Sequence, residues 1–233
     1  MRLTDGVLRS APRHDRAVPF ACEDCGRGSV ADDLLPAPRD VLRCPHCGYE
    51  RRFVRRPLLV VTGPAGVGKS TLCSRLAGTV PATACIDVDI LANDLASVTS
   101  PNHDYPAFWR SMMRLAQELA QSSIQVVYFA VMLPEQLLAN RDMLRYFGSV
   151  RFLCLTCPPD ILRARLARRE PAITTARLER WVEFDQALVA AARLLPAATV
   201  VDASRSIDEV EHDLRRWIEE KQGGDAALTD PTS

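Results

Sequence analysis

The segment from Gly63 to Thr71 constrains the fold of this chain more than any other stretch. It reads Gly-Pro-Ala-Gly-Val-Gly-Lys-Ser-Thr, which matches the pattern G-x-x-x-x-G-K-[ST]. A short apolar run at 58–62 precedes it, and a helical pattern begins near Ser70. Because such a loop needs a buried strand before it and a helix N-terminus after it, the segment predicts a strand–loop–helix unit.

The chemistry of this loop suits a chain of phosphates. Glycines let the backbone bend so that successive N–H groups point inward, and the helix N-terminus adds partial positive charge. Lys69 offers a mobile charge for the β- and γ-phosphates, and the Ser70 hydroxyl would ligate Mg²⁺. The alternative is a glycine-rich turn with an incidental lysine. We expect ATP and Mg²⁺ here, and the candidate nucleotide-binding residues are Gly63, Ala65, Gly66, Val67, Gly68, Lys69, Ser70 and Thr71.

Five apolar, mostly β-branched runs alternate with helical patterns after residue 57. The runs cover 58–62, 84–88, 124–130, 150–156 and 198–201. The helical patterns cover 70–77, 105–121, 134–146, 159–169, 175–195 and 207–220. Strict alternation implies right-handed β-α-β crossovers, since parallel strands need a long connection. The sequence therefore predicts an α/β fold of the P-loop NTPase type, a parallel five-stranded sheet with helices on both faces.

The second predicted strand ends Ile86-Asp87-Val88-Asp89 and so carries two carboxylates, Asp87 and Asp89. Alternate residues of a strand share one face, so both are expected to face the crevice at the carboxyl end of the sheet. One carboxylate there would organise Mg²⁺, and the other would accept a proton from an acceptor hydroxyl. The alternative is that they cap the helix that follows.

The helix predicted at 159–169 is unusually rich in arginine. At 100° per residue, Arg165 and Arg169 share the apolar arc of the helix, whereas Arg163 lies outside it and is expected to be solvated. An inward pair of arginines close to a phosphate site would stabilise charge on the transferred group. The alternative is an arginine-rich surface helix.

These residues together resemble the small P-loop kinases of metabolites and nucleosides, a group that includes shikimate, gluconate and nucleoside monophosphate kinases. The similarity covers about residues 58–220, and Leu-Pro-Glu-Gln-Leu at 133–137 most resembles predicted nucleoside kinases. The resemblance implies that Asp87 and Asp89 serve metal and acceptor. It implies that Arg165 and Arg169 belong to a lid helix, with a short lid at 170–175. The catalytic candidates are Lys69, Asp87, Asp89, Arg165 and Arg169, with Ser70 and Asp87 as magnesium ligands.

The chain departs from the resembled pattern at the third strand, which ends Phe129-Ala130 without a carboxylate. Asp87 is therefore expected to carry more of the work of organising the metal. The resemblance leaves the acceptor open, and a small molecule, a nucleoside or nucleotide first, is the expected partner. Tyr105, Phe108 and Trp109 are candidates to stack on a flat ring, although helix packing explains them equally well, and Phe184 and Asp185 are weaker candidates.

Four cysteines near the N-terminus form two C-x-x-C-G turns, and they are Cys22, Cys25, Cys44 and Cys47. Their spacing is typical of a tetrahedral zinc site, and four thiolates leave no open position for catalysis. The sequence therefore predicts a small zinc ribbon holding structural Zn²⁺. Cys73, Cys85, Cys154 and Cys157 are interpreted as buried thiols.

A basic run, which consists of Arg51, Arg52, Arg55 and Arg56, follows the ribbon. It solvates a linker or contacts RNA, and the formal net charge of +0 favours the linker. The alternative function is a regulatory or RNA-associated NTPase that uses the ribbon as a binding module. A phosphotransferase acting on nucleic-acid ends is a third reading.

Composition and patterning set the expected organisation. The sequence predicts a flexible arm at 1–17, the zinc ribbon at 18–56, the kinase-like domain at 57–221 and a disordered tail at 222–233. Neither a membrane-spanning run nor a secretory signal is expected, and the predicted compartment is the cytoplasm.

Overall fold

The computed structural model describes residues 20–29, 41–91, 105–144 and 146–224. The chain divides into two compact units, Met1–Phe53 and Val54–Ser233. The predicted arm at 1–17 and residues 225–233 of the predicted tail lie outside the described residues.

The first unit contains two short antiparallel hairpins. Strand β1 (Phe20–Ala21) pairs with β2 (Gly28–Ser29), and β3 (Val41–Arg43) pairs with β4 (Glu50–Arg52). Each hairpin turn carries one of the two cysteine pairs. Strands of two and three residues bury little apolar area, so a metal is the stabilising element that such a unit calls for.

The second unit is built on a parallel sheet of five strands in the order β6-β7-β5-β8-β9. The strands are β5 (Leu58–Thr62), β6 (Thr83–Asp87), β7 (Gln125–Ala130), β8 (Val150–Thr156) and β9 (Ala198–Asp202). Each neighbouring pair is parallel, which confirms the predicted fold class. The glycine-rich loop follows β5, the central strand.

Seven helices have bounds within the described residues; six lie between the strands, and the last follows β9. They are α1 (Lys69–Leu76), α2 (Tyr105–Gln121), α3 (Pro134–Leu138), α4 (Arg141–Leu144), α5 (Pro159–Arg169), α6 (Thr175–Arg193) and α7 (Ile207–Gly224). Leu59 and Val61 of β5 join a core cluster with apolar residues of α1, α5, α6 and α7, while Leu58 and Val60 are buried on the opposite face. Both faces of the sheet are therefore covered.

The helix predicted at 134–146 is wrong as a single element, because it breaks between α3 and α4 around Asn140. The Asn140 side-chain amide donates to the Gln136 and Leu137 carbonyl oxygens at 3.4 and 3.5 Å. An asparagine side chain that competes for backbone carbonyl groups ends a helix, which is the physical reason for the break.

Two boundaries also differ from prediction. Strand β6 ends at Asp87, and helical residues begin at Val88, so Asp89 lies on a helical turn and not on the strand. Helix α7 extends to Gly224, past the boundary predicted for the tail at 222. In the part of the chain that the structure describes, no helix has the length and apolar character needed to cross a membrane.

Candidate active site and metal centre

Residues 65–68 of the loop between β5 and α1, which spans 63–68, line a cleft of about 980 Å³ in the second unit. Gly68 adopts a φ of 112° and directs the backbone into α1, a conformation that favours glycine. Of the predicted nucleotide-binding residues, all but Gly63 line this cleft. Gly63 has a packing role, since a Cβ there would lie 2.6 Å from the Leu155 carbonyl oxygen. The first-turn N–H groups of α1 lack intrahelical acceptors and point toward the cleft.

Lys69 is the buried cation of the cleft, with only 6% of its surface exposed. Its ammonium donates to the Gly63 and Pro64 carbonyl oxygens at 3.0 and 3.1 Å and lies 3.5 Å from Asp89 Oδ2. Burial lowers the pKa of Lys69, and the Asp89 and Asp87 carboxylates oppose that change. A desolvated ammonium attracts phosphate oxygens more strongly than one in water does.

Asp87 and Asp89 both line the cleft, although they lie on different elements. Asp87 Oδ1 accepts the Asp89 N–H at 3.2 Å, which is the helix-capping contact considered as the alternative role. Asp87 Oδ2 is buried without a hydrogen-bond partner among the described residues. Asp89 Oδ1 accepts the Val131 N–H at 2.8 Å, so this carboxylate lies beyond the end of β7. The cleft thus gains a carboxylate at the strand end where the sequence has none.

Some arginines of α5 line the cleft, and another contacts the neighbouring helix. Arg165 is half-buried in the cleft and donates to the Ala203 carbonyl oxygen at 2.8 Å, just after β9. Arg169 also lines the cleft, and its positive charge contributes to lowering the pKa of Lys69. Arg163, expected to be solvated, forms two hydrogen bonds of 2.8 and 2.7 Å with Glu179 of α6. Arg163 therefore fixes α5 against α6, while Arg165 and Arg169 face the cleft.

Aromatic side chains line the cleft from two helices. Phe108 and Trp109 of α2 pack edge to face at 5.7 Å, and Trp109 also contacts Tyr128 of β7. Trp181 and Phe184 of α6 form a second edge-to-face pair at 6.1 Å. The side chain of Tyr105 lies outside the described residues.

Sequence reasoning assigned no role to several residues that line the cleft, and they are Gln136, Arg168, Arg177 and Arg205. Arg205 follows β9 at the carboxyl end of the sheet, where ligands of such folds bind, so the topology rule could have identified it. Arg177, Trp181 and Phe184 have the i, i+4, i+7 spacing of one helix face.

Asp185, considered a weak candidate for acceptor binding, is buried on α6 and is absent from the described lining of the cleft. Burial raises its pKa to about 6, and the Cys157 backbone N–H acts in the opposite direction. Burial likewise raises the pKa of the four other thiols to between about 11 and about 12, and they are Cys73, Cys85, Cys154 and Cys157. The raised pKa values favour the thiol form; Cys73, Cys154 and Cys157 are buried, as interpreted from the sequence, whereas Cys85 is half-buried.

The first unit brings its four cysteine sulfurs together. All four Sγ atoms lie within 4.8 Å of one another, with Cys22 and Cys47 at 3.6 Å and Cys25 and Cys44 at 3.8 Å. A tetrahedron of zinc–sulfur bonds of about 2.3 Å has edges of about 3.8 Å, so the sulfurs have the spacing of a zinc site.

The two cysteine turns repeat the same backbone geometry. The N–H groups of Gly26 and Gly48 donate to the carbonyl oxygens of Cys22 and Cys44 at 2.8 and 2.9 Å. Both glycines have positive φ angles, 68° and 77°. The Cys47 backbone N–H is the main cause that lowers the pKa of Cys44 to about 6. The Tyr49 backbone N–H acts to lower the pKa of Cys47, but burial and the neighbouring thiols together raise it to about 12.

The basic run after the ribbon is partly engaged in protein contacts. Arg51 lies 3.3 Å from Glu23 within the first unit. Arg56 donates to the Ser123 carbonyl oxygen at 3.2 Å within the second unit. The charge of Arg51 is therefore partly offset by a carboxylate, whereas Arg56 keeps its full charge.

A parallel five-stranded sheet whose central strand leads through a glycine-rich loop into a helix defines the P-loop kinase fold. Residues 58–188 match the AAA domain family. That match spans more than half of the 233 residues, and the chain belongs to this family. None of the curated proteins matches the chain.

Three solved structures share the fold. A sugar kinase from Janibacter sp. HTCC2649 is 21% identical, with a TM-score of 0.52 over 71% of this chain and 95% of that one. A gluconokinase from Sinorhizobium meliloti 1021 is 19% identical, with a TM-score of 0.52 over 77% of this chain and 100% of that one. The tunicamycin resistance protein of Deinococcus radiodurans is 17% identical, with a TM-score of 0.51 over 70% and 96%. At these identities the similarity is one of fold.

Proposed function

We propose that this protein is an ATP-dependent kinase that transfers the γ-phosphoryl group to a hydroxyl of a small molecule. The observation that carries the proposal is the convergence of Lys69, Asp89 and Asp87 at the carboxyl end of the sheet, with Lys69 Nζ 3.5 Å from Asp89 Oδ2. A phosphate-binding cation next to a carboxylate that can accept a proton is the arrangement that phosphoryl transfer to a hydroxyl requires.

The reaction follows from these positions. The acceptor oxygen attacks the γ-phosphorus while the bond from that phosphorus to the β–γ bridging oxygen breaks, and ADP leaves with the electron pair. Asp89 takes the proton of the acceptor hydroxyl, and Lys69 holds the β- and γ-phosphate oxygens. Arg169 stabilises charge on the transferred group, whereas Arg165, held at Ala203, contacts the nucleotide on the β9 side.

The residues present fit a magnesium ion. Asp87 Oδ2 is a buried carboxylate oxygen without a hydrogen-bond partner among the described residues, and the Ser70 hydroxyl lines the same cleft. Oxygen atoms of this kind are the ligands that Mg²⁺ prefers, so Asp87 and Ser70 are its proposed ligands. When bound, Mg²⁺ supplies charge neutralisation of the phosphates.

A nucleoside or nucleotide is the proposed acceptor class. Phe108 is half-buried on α2 and lines the same cleft as Asp89, and the buried Trp109 packs edge to face against it. Flat rings bind well against such surfaces. By analogy, the gluconokinase and sugar kinase that share the fold support phosphoryl transfer to a small molecule as the type of reaction.

The kinase proposal predicts ADP release that depends on an acceptor. The full-length protein is incubated with Mg²⁺ and ATP, with and without a panel of nucleosides, nucleotides, sugars and sugar acids. We expect at least one acceptor to raise ADP release about tenfold or more above the acceptor-free rate, because a bound hydroxyl replaces water as the nucleophile. The same slow rate throughout the panel, or stimulation by RNA alone, would contradict the proposal.

We also propose that Cys22, Cys25, Cys44 and Cys47 bind one structural Zn²⁺, because their sulfurs have tetrahedral spacing. Cys44→Ser is expected to lower the zinc content measured by plasma mass spectrometry from about one per chain to below about half, since one thiolate is lost. Cys73→Ser, which changes a thiol of the second unit, is the matched control and should retain the metal. Equal zinc in both variants would contradict the assignment.

A further inference from the structure

The cleft divides at β5 into two halves that differ in charge. Strands β6 and β7 lie on one side of β5, and β8 and β9 lie on the other. The β6–β7 half is lined by Asp87, Asp89, Ile90, Phe108, Trp109 and Val131. The β8–β9 half is lined by Arg165, Arg168, Arg169, Ala203, Arg205 and Ile207. Lys69 lies between them, at the start of α1.

Apart from Lys69, every lysine or arginine in the described lining of the cleft lies on a segment that follows β8 or β9. Among the described residues, the β6–β7 half has two carboxylates in its lining and neither lysine nor arginine. Gln136 of α3, which follows β7, is neutral, and Arg177 of α6 is paired with Glu170 at 2.6 Å.

The net positive charge of the cleft lining equals the negative charge of one magnesium-bound ATP. Arg205 is paired with Asp213 at 2.6 Å. The lining then holds four cations, Lys69, Arg165, Arg168 and Arg169, and two carboxylates, Asp87 and Asp89, a difference of two positive charges. Magnesium-bound ATP carries about two negative charges, so it balances this difference. The two further arginines of the described lining, Arg177 and Arg205, are each engaged with a carboxylate.

From this distribution we infer that the acceptor is an uncharged hydroxyl compound with a flat ring, a nucleoside in preference to a nucleoside monophosphate or a sugar acid. A phosphate or carboxylate on the acceptor would lie in the β6–β7 half without a cation and close to Asp89, where burial and like charge both oppose it. Phe108, supported by the buried Trp109, provides the apolar surface for the ring. This inference rests on the proposed kinase function and selects among its acceptors.

Matched pairs of acceptors test the inference. Each nucleoside is paired with its 5′-monophosphate and with its 3′-monophosphate, which carry the charged group but keep a free 3′- or 5′-hydroxyl respectively, and gluconate paired with glucose extends the comparison. With full-length protein, ATP and Mg²⁺, we expect kcat/KM for at least one nucleoside to exceed that of every monophosphate and of gluconate by about tenfold or more. A preferred monophosphate or gluconate overturns the inference and leaves the kinase function standing. Absence of ADP release with all compounds overturns both.

A substitution at Gln136 should shift the preference of the protein from nucleosides toward nucleoside monophosphates. Gln136 lines the cleft and is exposed, and its Oε1 accepts the Leu133 N–H at 2.8 Å. Gln136→Arg adds a cation next to the β6–β7 half and should raise the monophosphate-to-nucleoside ratio of kcat/KM about fivefold or more. Gln136→Met, which removes the same hydrogen bond without adding charge, is the control and should leave the ratio unchanged. An equal ratio in Gln136→Arg and Gln136→Met contradicts the inference.

Discussion

Replacing Lys69 with alanine is expected to lower the rate of acceptor-dependent ADP release by about a hundredfold or more. The buried ammonium is the positive charge closest to the loop carbonyl groups of Gly63 and Pro64. Loss of one preorganised donor to a developing charge costs about 3 kcal/mol of transition-state stabilisation, which corresponds to this decrease in rate. Steady-state kinetics at saturating Mg²⁺ measure it.

The chain offers a matched control, because its second lysine, Lys221, lies on α7 and is absent from the lining of the cleft. Lys221→Ala should retain the wild-type rate. Thermal unfolding of both variants shows whether the fold is kept. A folded Lys69→Ala protein with undiminished activity would mean that the phosphates bind elsewhere.

Replacing Asp89 with asparagine is the second large effect that we expect, a decrease in kcat of about a hundredfold to a thousandfold. Asparagine can still accept the Val131 N–H that Asp89 accepts at 2.8 Å, so the local structure is retained. It cannot take a proton from the acceptor hydroxyl. It also removes the carboxylate 3.5 Å from Lys69, so ATP affinity should be equal or higher. Rapid-quench kinetics measure the rate of phosphoryl transfer, and calorimetry measures the affinity for ATP.

Asp87→Asn provides the contrast to Asp89→Asn. Because Asp87 is a proposed magnesium ligand, its substitution should raise the Mg²⁺ concentration needed for half-maximal activity, which Asp89→Asn should not do. If Asp89→Asn turned over at the wild-type rate, or if both variants changed only the Mg²⁺ requirement, the proton-accepting role of Asp89 would be excluded.

Where local pattern alone determines the structure, the sequence was sufficient. Strands β5 and β8 and helices α2 and α5 have the predicted bounds, because buried parallel strands and amphipathic helices have distinct periods. The loop at 63–68 was predictable because its glycines, lysine and serine have a fixed order along the chain.

Tertiary contacts account for what the sequence left open. Asp89 was expected on a strand, but its carboxylate reaches the cleft from a helical turn and is held by the Val131 N–H, 42 residues away. The break between α3 and α4 depends on hydrogen bonds of the Asn140 side chain, and the spacing of apolar residues along the sequence does not predict such a break. The acidic and basic residues lie in different halves of the cleft because β6 and β7 are on one side of β5 and β8 and β9 on the other. The periodicity of apolar residues predicts strands and helices but not the order of the strands in the sheet.

Isothermal titration of the full-length, zinc-loaded protein with ATP at saturating Mg²⁺ tests the central claim most directly. If the backbone N–H groups at the start of α1 and Lys69 bind the triphosphate, the titration should show one saturable site, with a Kd of about 1 μM to 1 mM. Lys69→Ala should weaken that binding. Absence of heat with either ATP or GTP, from protein shown to be folded, would contradict nucleotide binding and the kinase proposal with it.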